Sequence, residues 1–183
     1  VVKKLDNGLR IFVFHDPRLP LVEVALRVPA GLSAEPADQS GIANLTARMI
    51  GRGTTSRNAE TFASELGRLG TGIAAQTARE YTTISAVFLA RDFEGGLELL
   101  GDAVSHPVFL ESEFRRNQNQ AGRAVIQSRQ NPAATASEQL WTLAFPDVPL
   151  AQPPLGRIET LGRITIDQVR SSYRDRYRPH GGV

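Results

Sequence analysis

Three histidines, His15, His106 and His180, and no cysteine are the chain's donors for metal or nucleophilic chemistry. Two imidazoles grip a metal from one helix when they stand four residues apart, because those positions share a face. No two of these histidines have that spacing, none is expected to neighbour a carboxylate at metal-ligand spacing, and they read as polar residues at the ends of elements. Without cysteine there is no disulfide, thiolate ligand or cysteine nucleophile. A G-x-S-x-G elbow is absent, although a triad built from scattered residues stays open. The run "GRGTTS", Gly51–Ser56, begins like a dinucleotide-binding loop but ends in Ser56 and follows a helix rather than a strand. "FRRNQNQAGR", Phe114–Arg123, is basic, yet Arg115 and Arg116 diverge on a helix and few aromatics interleave. It reads as a solvated helix face, not a nucleic-acid groove.

Composition agrees with that exclusion. The net charge is +2, too small to argue for nucleic acid. The basic residues are arginines apart from Lys3 and Lys4, a bias that points to a GC-rich genome more than to a site. A hydrophobic share of 41% over 183 residues suffices for one domain with a sizeable core. No apolar run approaches the roughly 18 residues of a membrane span. The chain opens on Val1 rather than Met and closes on Gly181-Gly182-Val183, a turn entering a strand. It is expected to be a single domain over 1–183, truncated in its last strand.

Hydrophobic periodicity gives the elements that must position any site. Residues 8–15 alternate with apolar side chains on both faces, which predicts a central strand. Residues 21–29 alternate more cleanly and are expected to be its hairpin partner, across a turn marked by Pro17 and Pro20. A short helix follows, with Ile42, Leu45, Met49 and Ile50 as its core stripe and Gly51 and Gly53 ending it. Asn58 caps a helix over 59–69, and strands follow over 72–78 and 81–90. Asp92 is expected to cap a helix over 93–105, with Phe93, Leu97, Leu100 and Val104 inward. Further helices are predicted over 111–130, from Pro132 to 144, and from Thr165 through Tyr177, the last stopped by Pro179. Strands alternate with runs of helices, so the fold class is α+β with a mainly antiparallel sheet packed against helices.

The order of short motifs carries more. "LDNGLRIFVFHD" (5–16) precedes "LVEVALRVPAGLSAE" (21–35), then "GIANLTARMIGRGT" (41–54) and "LGRLGTGIAAQTAREYT" (66–82). "PLGRIETLGRITIDQV" (154–169) and "YRDRYRP" (173–179) close the series. This order and spacing resemble the N-terminal domain of the pitrilysin/insulinase-type zinc metallopeptidases, the inverted H-x-x-E-H enzymes. The resemblance implies a metallopeptidase-like domain of the LuxS and mitochondrial-processing-peptidase type, with a second homologous domain beyond the fragment.

In that family the short helix bears H-x-x-E-H, two zinc ligands and a general base on one face. Alignment on Gly41 and Gly53-Thr54 puts Asn44 at the first histidine, Ala47 at the glutamate and Arg48 at the second histidine. The distant glutamate ligand of the family falls at Ala124, eight residues before Pro132. Alanine has no donor, and arginine stays protonated and repels a dication. The resemblance therefore implies a catalytically inactive homologue with no metal ligands and no catalytic residues. Arg48 is expected to pair with an acid such as Glu80, to face acidic peptide groups, or to extend to solvent. Ala74, Ala75 and Thr77 are expected on an edge strand where a peptide substrate adds.

Three functions follow from the resemblance. The first is the noncatalytic subunit of a heterodimeric peptidase, closing the chamber and binding peptide beside an active H-x-x-E-H partner. The second is a structural core subunit of a larger assembly with no peptidase role. The third, an enzyme active as a zinc endopeptidase or through another site, has three scattered histidines to work with. Paired bacterial forms are often exported, so the resemblance implies a periplasmic location.

Overall fold

The computed structural model describes residues 2–146 and 148–178. Its first two strands, β1 (Val2–Lys4) and β2 (Arg10–Phe12), form an antiparallel sheet of their own. β3 (Leu21–Val28), β4 (Ala74–Thr77) and β5 (Thr82–Leu89) form a second antiparallel sheet in the order β3-β5-β4. The helices are α1 (Ile42–Met49), α2 (Ala59–Arg68), α3 (Phe93–Ser105), α4 (Glu111–Arg129), α5 (Pro132–Ala144), α6 (Ile158–Leu161) and α7 (Ile166–Arg176).

The first strands differ from expectation. Residues 8–15 do not form a central strand, and β3 is not their hairpin partner. β2 instead turns back on β1 through Leu5–Gly8, where the amide of Gly8 donates to Leu5 and that of Leu5 donates to Leu9. Asp16 folds onto Arg18 rather than continuing a ladder, and Pro17 and Pro20 withhold two amide donors. β3 lies along the whole of β5, from Leu21 opposite Leu89 to Val28 opposite Thr82. The central strand is thus β5, which buries Thr82, Ile84, Ala86 and Phe88 on one face. Phe14 is 90% exposed.

Two hydrophobic clusters divide the helices. Ile50, Phe62, Leu66, Leu99, Leu100 and Ala103 bring α2 and α3 onto the buried face of β5. Ile42, Leu45 and Met49 of α1 pack with Phe114, Ala121 and Val125 of α4, and with Leu161 and Val169. α1 is therefore enclosed, with six of its eight residues buried.

α3 is rotated from the predicted inward face. Its buried residues are Gly96, Leu99, Leu100 and Ala103, whereas Leu97 is exposed. Phe88 causes this: its ring lies so close to Gly96 that an added Cβ would meet it at 2.3 Å. Asp92 occupies the N-cap position but makes no side-chain cap bond. Asn58 and Thr165 do cap as expected, accepting from Thr61 and Gln168, and Thr165 completes a capping box. Pro179, His180 and the terminal Gly-Gly-Val lie outside the described residues.

Candidate functional site

Asn44, Ala47 and Arg48 follow one another down one face of α1, at the floor of a cleft of about 700 Å3. One wall is β4, through Ala75, Gln76 and Thr77, and the other includes Pro154 and Leu155. Ile50, Leu66 and Ile73 add apolar lining, and Arg52 stands at one end. The cleft thus gathers the three positions aligned with H-x-x-E-H, two ligand positions and the base. Ala124, half-buried on α4, is not among the described residues that line it.

The charge on Arg48 is held from within the helix. Its Nε donates to Asn44 Oδ1 at 3.0 Å, one turn earlier. The expected pairing with Glu80 is not formed. The turn carrying Glu80 docks elsewhere, against Gly31–Ser33, where the amide of Ser33 donates to the carbonyl of Arg79 at 2.7 Å. Arg79 in turn lays its guanidinium over Trp141, 3.5 Å from the ring centroid.

β4 pairs with β5 on one side only, from Ala74 opposite Ser85 to Thr77 opposite Thr82. Its other side is an edge of the three-stranded sheet. Ala75 and Thr77 are half-buried, and Ala74 and Gln76 are exposed. The edge therefore presents backbone donors and acceptors beside the cleft.

Zinc does not fit this donor set. Ala47 has no donor atom and is 1% exposed, while Arg48 contributes a fixed positive charge. The amide oxygen of Asn44 is already spent on Arg48. Among the described residues no group of three His, Cys, Asp or Glu side chains is placed to hold a metal.

A second polar cluster joins the loop after α1 to α3. Asp102 Oδ2 accepts from Thr54 Oγ1 at 2.6 Å, from Ser56 Oγ at 2.7 Å and from Arg57 Nη1 at 2.8 Å. The Thr54 bond foremost, then those of Ser56 and Arg57, hold the Asp102 carboxyl below its usual range. His106 Nδ1 stands 3.3 Å from the other oxygen of Asp102. Asp102 and His106 are four residues apart, so the expectation that no histidine neighbours a carboxylate at ligand spacing is corrected here. No catalytic triad results, because Ser56 donates to Asp102 itself and not to an imidazole. The cluster is a brace. Asp102→Ala removes the acceptor shared by Thr54, Ser56 and Arg57 and should cost about 1–3 kcal/mol in a urea titration at neutral pH. Because the folded-state pKa is depressed, that difference should shrink as pH falls below the ordinary aspartate range.

Sequence reasoning missed Arg52 and Glu35. Arg52 continues the Asn44–Arg48 spacing by one more turn, so the spacing itself was the signal. Glu35 lies six residues before Gly41, and both of its oxygens serve α1: Oε1 accepts from the amide of Ala43 at 2.8 Å and Oε2 from that of Gly41 at 3.0 Å. No local pattern announces such a cap.

An enclosed short helix beside an open sheet edge, with a cleft between, is the frame of a peptidase-type domain. Residues 10–157 match the model of the insulinase peptidases, family M16, and the chain belongs to that family. It is 28% identical over 93% of its length to an uncharacterized zinc protease of Rickettsia felis. To the uncharacterized zinc protease YmxG of Bacillus subtilis it is 27% identical over 95%, and to the mitochondrial-processing peptidase β subunit of Saccharomyces cerevisiae 25% over 96%. The chain spans only 41%, 42% and 38% of those relatives, respectively. The fold matches the inactive domain of a peptidase M16 from Pseudomonas fluorescens, with a TM-score of 0.86 at 22% identity, over 94% of this chain and 42% of that one. A protease from Helicobacter pylori matches with a TM-score of 0.90 at 19% identity, over all of this chain and 44% of that one.

Proposed function

We propose that this chain is part of a noncatalytic subunit of a heterodimeric zinc peptidase, forming chamber wall and binding peptide while a partner subunit performs hydrolysis. One observation carries the reading. The helix face where the family bears H-x-x-E-H presents Asn44, Ala47 and Arg48, yet it still floors a cleft beside an open strand edge. A cleft beside a strand edge supports peptide binding, and the side chains at the aligned positions support the loss of ligand and base chemistry. A likeness to the Pseudomonas fluorescens inactive domain supports an inactive domain of this fold, and the resemblance to paired family members supports a partner bearing the intact motif.

The test uses the full-length protein. Metal analysis after zinc loading should find no stoichiometric zinc, and a fluorogenic peptide should stay intact with this protein alone. Cleavage should appear on mixing with an H-x-x-E-H subunit from the same genome and exceed that of the partner alone. Stoichiometric zinc or cleavage by the lone subunit would overturn the proposal. A stable complex whose cleavage does not exceed the partner's own would transfer the protein to a purely structural role.

A further inference from the structure

The cleft beside α1 carries two guanidinium groups, Arg48 and Arg52, and no carboxylate among its described lining residues. Elsewhere several arginines meet acids. Arg57 meets Glu65, Glu98 and Asp102, Arg115 meets Glu111, Arg116 meets Glu113, and Arg170 meets Asp167. Among the described residues neither Arg48 nor Arg52 makes an ion pair. Their partners are neutral oxygens: Asn44 Oδ1 for Arg48 and the carbonyl of Arg48 for Arg52.

We propose that this cleft recognises an acidic peptide, seating a Glu or Asp side chain on Arg48 and Arg52 while the peptide backbone pairs with β4. The proposal rests on the peptide-binding reading above and adds to it the class of side chain bound.

Three features lead there. First, Asn44 uses the Nε of Arg48, which fixes the head group and leaves its two terminal nitrogens free of described partners. Two parallel N–H donors on one planar group match the two oxygens of a carboxylate. Second, a strand added to β4 points alternate side chains to the same side as Ala75 and Thr77, the residues that line the cleft with Arg48. Ala75 is short, so a longer side chain on the incoming strand has room to reach α1. Third, Ile50, Ile73, Leu66 and Leu155 share the cleft lining with the half-buried Arg48. Lower local polarity strengthens a charge-assisted hydrogen bond relative to one in water. The position aligned with a zinc ligand in the family thus holds a fixed cation, which attracts an anion where a metal would attract a carbonyl.

The experiment measures fluorescence polarisation of short labelled peptides on the full-length protein. The peptides are extended, β-prone sequences that differ only at a central Glu, Gln or Lys. The Glu peptide should bind roughly tenfold tighter than the Gln peptide at low salt. That preference should shrink at high salt. Arg48→Glu should reverse the order and favour the Lys peptide, a gain that an unfolded variant cannot produce. The wild-type comparison needs no variant at all.

Equal binding of the Glu and Gln peptides would overturn the acidic preference and leave the peptide-binding reading standing. Binding of none of the three would overturn both. Displacement of the Glu peptide by inorganic phosphate, beyond that by sodium chloride at the same ionic strength, would overturn the peptide in favour of a free-anion site.

Discussion

Glu35→Ala is expected to cost the protein about 2–4 kcal/mol near pH 5 and measurably less near pH 8. Glu35 is only 3% exposed, and its carboxyl spans the first turn of α1 by accepting from the amides of Gly41 and Ala43. Those amides belong to the set that a helix cannot satisfy internally. Alanine leaves both buried and unpaired, each at a cost of about 1–3 kcal/mol. Burial raises the carboxyl to about 7, against the two amide bonds and the nearby charge of Arg176, which act to lower it. A group that binds its proton more tightly when folded stabilises the fold fully below its ordinary value. That contribution is lost as pH rises through the folded value. Wild type should therefore lose stability from this group between about pH 4.5 and about pH 7, and the gap to Glu35→Ala should narrow over the same range. Glu35→Gln keeps one accepting oxygen but sets an NH2 against the other amide, so it should be destabilised without that pH slope. Urea titrations across the range decide the matter. A gap that widens with pH would show that the ionised form is the stabilised one and that burial is the lesser effect.

The helices of this protein are written in local signals, and the sheet is not. Asn58 and Thr165 place their helix starts within a residue because a cap is a contact between near neighbours. The pairing of β3 with β5 joins residues some sixty positions apart, and nothing in either segment names its partner. Adjacent alternating segments invite a hairpin, but two prolines and the Asp16–Arg18 pair intervene. The inward face of α3 was misjudged for a related reason. Periodicity ranks Leu97 above Gly96, whereas the Phe88 ring needs the space that only a glycine leaves.

At the site, the resemblance aligns residues without ligand atoms to the family's positions, and the sequence does not say where the charge of Arg48 goes. Asn44 and Arg48 are four residues apart, so their hydrogen bond is legible after the fact. The expectation of Glu80 assumed that the turn before β5 leans on α1. It leans on Gly31 instead, whose missing side chain admits the turn backbone to within 2.4 Å of where a Cβ would stand. The motifs that carried the family resemblance also meet in space. Gly41 of "GIANL" and Gly156 of "PLGRIETL" are in backbone contact: a Cβ on Gly156 would stand 2.6 Å from the Cα of Gly41.

That contact gives the second large effect. Gly156→Ala is expected to cost about 3–5 kcal/mol, enough to unfold a marginal domain. Two terms add. Gly156 has φ +79°, a conformation that costs an L-residue about 1–2 kcal/mol. The new methyl would also lie 2.7 Å from the carbonyl oxygen of Ser40, as well as close to Gly41, and backbone cannot rotate aside as a side chain can. Gly70→Ala separates the terms, because Gly70 has φ +63° but nothing within 4 Å of its Cβ position. It should cost only the conformational term, about 1–2 kcal/mol. The excess at Gly156 measures the close approach. That strain should be felt at α1, since Gly41 is its N-cap residue and its amide is one of the two that Glu35 accepts. Amide exchange at Ala43 should therefore rise more in Gly156→Ala than in Gly70→Ala, relative to their global stabilities. Equal costs at the two glycines would mean that the loop at Gly156 yields freely and that the helix bearing Arg48 is positioned by its apolar face and the Glu35 cap without it.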